Sequence, residues 1–218
     1  MSKKLKRIID IIFSILLIIP LIPIWIVIAI LSIIINFDLN ILYSDTRVFQ
    51  NQKKYKTIKF RTMQKNANEL IDINKESNKG NFYKNTPLSS DLFTPFGKFL
   101  ERYQLNETLQ ILLVLNGNMS FVGNRPLPLN IYENLLKNFK NAHNIYDAPA
   151  GLTGASQIIG KHNLSTEKRI KIEILYCKLY QENKKLILVD MIILLLTIKI
   201  VFLNKYVSYE FVEKLLSK

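Results

Sequence analysis

The sequence predicts a mostly helical α+β protein, made of a proline-broken re-entrant membrane helix and a compact body. Three features carry that expectation: an apolar run from Ile8 to Ile35, basic residues on both of its flanks, and short alternating pieces between Leu39 and Phe60. The run is about 28 residues, or ~42 Å as a straight helix, more than a ~30 Å hydrocarbon layer requires. A secretory signal has a shorter apolar region and a small-residue cleavage site, whereas Asn36-Phe37-Asp38 follow here. Pro20 and Pro23 fall near the middle, where each removes a backbone donor and favours a kink. Lys3, Lys4, Lys6 and Arg7 precede the run, and Lys53, Lys54, Lys56, Lys59 and Arg61 follow it, so the positive-inside tendency places both flanks in the cytoplasm. A helix that enters and returns on one side satisfies both flanks. The alternative is a bent spanning helix, because prolines are tolerated in such helices. Asp10 and Ser14 fit either first turns at the interface or burial against protein.

The body follows in order. Ile41-Leu42-Tyr43 and Tyr55 to Phe60, separated by Gln50-Asn51-Gln52, predict a small hairpin leading back to the membrane surface. Lys65 to Thr86 is polar, carries Gly80, and reads as a helix start followed by a mobile loop. Phe96 to Leu100 opens a helix, Ile131 to Phe139 has the spacing of a surface helix, and Thr166 to Leu179 begins a longer one after a Ser165 or Thr166 cap. Gly151-Leu152-Thr153-Gly154, followed by Ser156, Gln157 and Gly160, is turn-like. An ordinary loop is its first reading, and glycine amides approaching a phosphate is the second. Leu186 to Leu203 is interrupted by Asp190 and Lys199, which favours an interfacial helix, or one packed beneath the body, over a second crossing. The expected division is a membrane helix over 1–37, a cytoplasmic catalytic domain over 38–185, and a C-terminal interfacial helix and tail over 186–218.

Composition bounds the partners. A chain of 218 residues leaves one ordinary domain beyond the membrane segment. Its net charge of +13 and pI near 9.7 call for an anionic partner, and beside an apolar anchor the nearest candidates are acidic lipid headgroups and a phosphorylated substrate. Nucleic acid is disfavoured by the lack of zinc-finger spacing, of an RNA-binding aromatic motif and of a basic helix forking from heptads. Cys177 is the single cysteine and sits in an apolar-periodic run, so it reads as a small buried hydrophobe. His143 and His162 have no partners at metal-ligand spacing, which disfavours zinc. A metal would need oxygen ligands, which points to magnesium held by a carboxylate and substrate phosphates.

Leu105 to Pro126, LNETLQILLVLNGNMSFVGNRP, is the richest stretch. Ile111 to Leu115 is a buried segment of helical or strand type, and Asn116-Gly117-Asn118 is a turn, since Asn and Gly tolerate positive φ. Asn106-Glu107 lies before the apolar element, while Ser120, Gly123 and Arg125-Pro126 lie after it. That arrangement can bring a carboxylate and a guanidinium to one pocket; turn clusters beside a core element are the plainer reading.

The order of a basic start, a proline-broken apolar helix, Lys59-Phe60-Arg61-Thr62-Met63, Pro95-Phe96-Gly97, Leu105-Asn106-Glu107, Gly117-Asn118-Met119-Ser120, Val122-Gly123 with Arg125-Pro126, and Gly151-Leu152-Thr153-Gly154 resembles the bacterial sugar transferases, the monotopic phosphoglycosyl transferases. The resemblance covers almost the whole chain. It implies a re-entrant helix in the bacterial inner membrane, a cytoplasmic catalytic body, and magnesium. The implied reaction moves a sugar phosphate from a nucleotide diphosphate sugar, usually UDP-linked, to polyprenyl phosphate, with downstream glycosyltransferases as further partners and no nucleic acid. Breaking a pyrophosphate bond between two anionic substrates needs charge neutralisation, for which Arg125, Lys59 and Arg61 are candidates. Arg47 matches an arginine usual in the early hairpin, and Glu107 matches the acidic residue expected to help hold the metal. Ser120, Gly123, Pro126, Gly151, Thr153, Gly154 and Gln157 are candidate turn and backbone contacts, and Pro20 and Pro23 mark the helix break.

The chain also departs from that pattern. Asn106 stands where the commonest pattern has the nucleophilic Asp, and a neutral carboxamide is a far poorer nucleophile than a carboxylate. Direct attack by the lipid phosphate, a different carboxylate such as Glu107 as nucleophile, and a non-catalytic membrane adaptor that binds the lipid phosphate are the alternatives. Asn124 stands at the first Pro of a usual Pro-Arg-Pro turn, Pro149-Ala150 where a basic residue and Pro precede the Gly151 turn, Ile22 where Ser precedes the helix-break Pro, and Phe49 in place of a usual Gly.

Overall fold

The computed structural model describes residues 2–65, 67, 86, 88–160, 164–183 and 185–217. The helix and loop expected over 65–86 fall almost wholly outside the described residues. Helix α1 runs over Ser2–Asn36 and continues through Pro20 and Pro23. Its buried residues are Lys6, Asp10 and Ser14 near one end and Ile28 and Ser32 near the other, while Leu16 and Ile19 between them are 60% and 66% exposed. Both halves of α1 therefore rest on the body, and the proline-bearing middle is bare.

Polar groups dock the first half. The Lys6 ammonium donates to the Val122 carbonyl at 2.8 Å and to Asp190 at 2.5 Å. Arg7 donates to the carbonyls of Val114 and Leu115 at the end of helix α3 (Ile111–Leu115). Asp10 accepts the Phe121 amide at 3.1 Å, so burial against protein accounts for it. The second half docks through Trp25, whose indole donates to Thr108, and through Ile28 against Phe60 and Leu100.

The expected hairpin is present as antiparallel strands β1 (Leu42–Val48) and β2 (Lys54–Phe60), with β4 (Leu127–Pro128) added on the other side of β1. Asn51 and Gln52, both at positive φ, make its connection. Helix α2 (Pro95–Arg102) begins with Pro at its first position, and the Thr94 hydroxyl accepts from the Gly97 amide. After α3, Gly117 turns at φ +91° into strand β3 (Met119–Val122). Surface helix α4 spans Leu129–Asn138.

The Gly151–Gly154 cluster is not the loop that turn residues suggested. Strand β5 (Ala150–Thr153) pairs in parallel with β3, Ser120 opposite Gly151 and Val122 opposite Thr153. Glycine serves close packing here: a Cβ on Gly123 would lie 2.1 Å from the Pro149 carbonyl oxygen, and one on Gly154 would lie 2.0 Å from that of Gly123. Short helix α5 (Ala155–Ile159) follows directly.

Helix α6 (Thr166–Glu182) is capped by Ser165, as its sequence predicts. Apolar helix α7 (Leu186–Leu203) buries Leu186, Val189, Asp190 and Ile193 against the body and leaves Leu195, Ile198 and Phe202 exposed. Helix α8 (Tyr209–Ser217) occupies the expected tail, and its Val212 and Leu216 join Ile172, Tyr176 and Ile193 in the largest core cluster. Phe49 is itself core, edge-on to Tyr55. Burial pushes the Cys177 thiol up to about 12, which leaves it the inert hydrophobe expected from its surroundings.

Two outcomes follow for stability in detergent. Lys6→Met strands Asp190 as a buried charge and costs ~3–5 kcal/mol, and the double change Lys6→Met with Asp190→Asn recovers most of it. Gly123→Ala forces β3 away from β5 and costs about 3 kcal/mol, at the upper end of the usual overpacking range. Thermal unfolding of the purified variants measures both.

Candidate functional site

Helix α2 ends at Tyr103, and Gln104, in the left-handed region at φ 57°, swings the chain into a 3-10 turn over Leu105–Gln110. That reversal lays Asn106 against the end of α2, where its amide Nδ2 donates to Glu101 Oε2 at 2.7 Å. Asn106 is 1% exposed. Glu107 faces Arg125, which the loop after β3 delivers. The guanidinium makes a two-point contact, Nη2 to Oε1 at 2.7 Å and Nη1 to Oε2 at 3.2 Å. The carboxylate and guanidinium at the two ends of the apolar segment do meet. Glu107 beside Arg125 holds the guanidinium above its ordinary pKa, against the opposing effect of burial.

Lys59 stands across from Tyr43 in the β1–β2 hairpin, with its ammonium 5.3 Å from that ring. Burial lowers its pKa; Glu107 and Glu101 pull the other way, and Arg47 and Arg125 add to the lowering. Lys59 therefore lies in the field of the Glu107–Arg125 pair. Arg47 is buried, donates to Asp45 and to the Pro126 carbonyl, and so ties β1 to the Arg125 loop. Arg61 is engaged elsewhere: its guanidinium meets Asp38 at 2.6 Å, just beyond α1. The Asn40 amide and Arg61 together hold the Asp38 carboxyl down at about 2.

A cavity of about 650 Å³ opens beside the pair. Glu101, Glu107 and Arg125 line its charged side, Thr153 and Gln157 line another part, and Ile200, Val201 and Phe202 from the end of α7 give it an apolar wall. Thr153 and Gln157 are also held internally, Thr153 by Thr197 and Gln157 by the Leu152 carbonyl. Ser120, Gly123, Gly151 and Gly154 belong to the β3–β5 contact and its exit, and Pro126 lends a carbonyl to Arg47, so these five act first as framework.

Asn124 is a framework residue too. Its side-chain amide donates to the carbonyls of Ile145 and Glu173, joining the Arg125 loop to α6. No sequence signal marks Glu101, because its meeting with Asn106 depends on the left-handed turn at Gln104. In the sequence Lys6 is only a flanking charge and Asp190 only an interruption of an apolar run; their separation by 184 positions hides the pairing.

Among the described residues no group of three or more His, Cys, Asp or Glu is placed to cage a metal. Magnesium is commonly bound in another way, through one or two carboxylates and the phosphates of a substrate, and Glu101 and Glu107 are the carboxylates that line the cavity.

Comparison with known proteins gives the family. A family model described as bacterial sugar transferase matches residues 1–204. The exopolysaccharide production protein ExoY of Sinorhizobium fredii is 29% identical over 205 residues, covering 92% of this chain and 86% of that protein. An uncharacterized sugar transferase of Haemophilus influenzae is 31% identical over 81% of this chain, and the UDP-glucose:undecaprenyl-phosphate glucose-1-phosphate transferase of Klebsiella pneumoniae is 30% identical over 92% of it. The chain spans 37% and 40% of the length of these last two. With the match running over residues 1–204, from α1 to the end of α7, the chain belongs to the bacterial sugar transferases.

Proposed function

We propose that the protein transfers a sugar phosphate from a UDP-linked sugar to undecaprenyl phosphate in the bacterial inner membrane, as the first membrane step of surface glycan assembly. The observation that carries the reading is the Glu107–Arg125 pair, with Lys59 in its field, at one side of a cavity whose other wall is apolar helix. Two phosphorylated substrates require cations, and a polyprenyl chain requires an apolar surface. The names of relatives supply the substrate classes, UDP-galactose for the lipid carrier transferase of Erwinia amylovora and UDP-glucose for the Klebsiella enzyme.

In this reading Arg125 and Lys59 bind the pyrophosphate and the lipid phosphate and offset the negative charge that grows on the departing UMP. Glu107 fixes the Arg125 guanidinium and is the carboxylate that would hold magnesium. Magnesium, when bound, supplies further neutralisation at the pyrophosphate oxygens. Arg47 keeps the Arg125 loop against the hairpin. The lipid-linked product would pass to downstream glycosyltransferases.

The membrane helix is re-entrant in the same proposal, and the body faces the cytoplasm. Support comes from α1 itself: residues near both ends are buried against one body, whereas Leu16, Ile19 and Ile22 beside Pro20 and Pro23 are exposed. A wedge of that kind seats the cavity at the headgroup level, where the lipid phosphate lies.

UMP release from UDP-glucose and UDP-galactose, in detergent with undecaprenyl phosphate and magnesium, tests the activity. The natural protein releases UMP from at least one donor, and Arg125→Ala lowers that rate on the order of 100-fold. No release from any UDP-sugar would leave the membrane adaptor as the better reading. For topology, Lys4→Cys and Phe37→Cys are made separately, since buried Cys177 is silent. Both react with an impermeant maleimide in inside-out vesicles and neither reacts in intact cells; one reacting from outside would rule out the re-entrant helix.

A further inference from the structure

Position 106 carries an amide, yet a carboxylate stands within hydrogen-bond distance of it. Asn106 Nδ2 donates to Glu101 Oε2 at 2.7 Å, and Glu101 lines the same cavity as Glu107 and Arg125. The two cavity carboxylates differ in what occupies their oxygens. Both oxygens of Glu107 face the Arg125 guanidinium, which draws off their charge. Glu101 has no cation within ion-pair distance among the described residues, and its one side-chain hydrogen bond falls on Oε2. Oε1 keeps its lone pairs while Asn106 holds the group in place.

Resting on the phosphosugar transfer proposed above, we infer that Glu101 is the nucleophile of this protein and that Asn106 is its positioning residue. Glu101 Oε1 attacks the sugar-bearing phosphorus of the UDP-sugar. The bond from that phosphorus to the bridging oxygen breaks, and the oxygen leaves with its electron pair as part of UMP. The enzyme then carries sugar 1-phosphate as an acyl phosphate on Glu101. A phosphate oxygen of undecaprenyl phosphate attacks the same phosphorus, the lipid diphosphate sugar forms, and the electron pair returns to the Glu101 carboxylate. No oxidation occurs and no further reactant is needed. Arg125 and Lys59 lie near enough to Glu101 for its charge to act on both, so the attacking group and the phosphates it meets share one electrostatic environment.

The neutral side chain at 106 is a requirement of this arrangement. A carboxylate there would sit 2.7 Å from another, and two such groups cannot both ionise. One of the two positions must be an amide or hold a proton, and the sequence places the amide at 106 and the carboxylate at 101.

The test is a covalent trap. The natural protein is incubated with UDP-glucose and UDP-galactose labelled at the β-phosphorus, with magnesium and without lipid. We expect one label per chain, labile to hydroxylamine, mapped by peptide mass spectrometry to Glu101, and discharged into lipid when undecaprenyl phosphate is added. Glu101→Gln loses the label and lowers lipid-dependent UMP release on the order of 10³-fold. The exchange variant Glu101→Gln with Asn106→Asp keeps the hydrogen bond with its ends reversed, and the label moves to position 106. Label on Glu107, or release by Glu101→Gln at the natural rate, overturns the assignment. Turnover that never labels the natural protein overturns it too, and leaves the transferase reading intact. Absence of UMP release with any donor and lipid overturns both.

Discussion

The Lys6–Asp190 contact is the interaction on which the rest of the molecule depends. Taking an ammonium and a carboxylate out of water costs several kcal/mol per ion, and only good geometry with further hydrogen bonds offsets it. Here the ammonium also donates to the Val122 carbonyl, and Asp190 also accepts from the Tyr176 hydroxyl. Four elements, α1, β3, α6 and α7, converge on one buried point. Removing either ion leaves the other without compensation, so α1 is fixed to the body at a set height and angle. Arg7 and Asp10, about one turn from Lys6, then reach the end of α3 and the Phe121 amide within β3 without further adjustment. The consequence is that α1 and the loop that carries Arg125 are positioned by the same strand.

That strand is placed by close backbone packing. Gly123 and Gly151 let β3 and β5 approach to a distance that a methyl group would prevent. Asn124 then holds the next residue to α6 through two carbonyls. Arg125 leaves this rigid junction and meets Glu107, which arrives from the opposite direction through the Gln104 turn. Arg47 closes the frame from the hairpin by donating to the Pro126 carbonyl. Arg125, one of the cations lining the cavity, thus sits between neighbours anchored on backbone carbonyls, which keeps reorganisation small when anionic groups bind.

Charge balance at Arg125, Arg47 and Arg61 is local, although the chain as a whole is strongly basic. Arg125 is answered by Glu107, Arg47 by Asp45, and Arg61 by Asp38. Lys59 is the group in which burial and carboxylates compete, with burial the stronger influence on its pKa. The surplus positive charge lies largely on exposed lysines, where it suits an anionic membrane surface more than a buried reaction centre. Asn106 fits the same rule of economy. It occupies a position where a second negative charge would conflict with Glu101.

The sequence by itself determined the long apolar helix α1, the hairpin and the cap of α6, and it offered the meeting of Glu107 with Arg125 as one of two readings. Each rests on a local signal: an uninterrupted apolar length, alternation about a polar connection, a hydroxyl before a helical run, or unlike charges at the ends of one short element. Tertiary structure alone decided what the glycines at 151 and 154 do, because turn chemistry and close strand packing ask for the same residue. It likewise decided that Asp190 is a buried ion-pair partner for Lys6, that Arg61 serves Asp38, and that Glu101 lies against Asn106. Those four facts join residues through contacts between separate elements, or across a single left-handed residue, and no period or spacing along the chain encodes such distances.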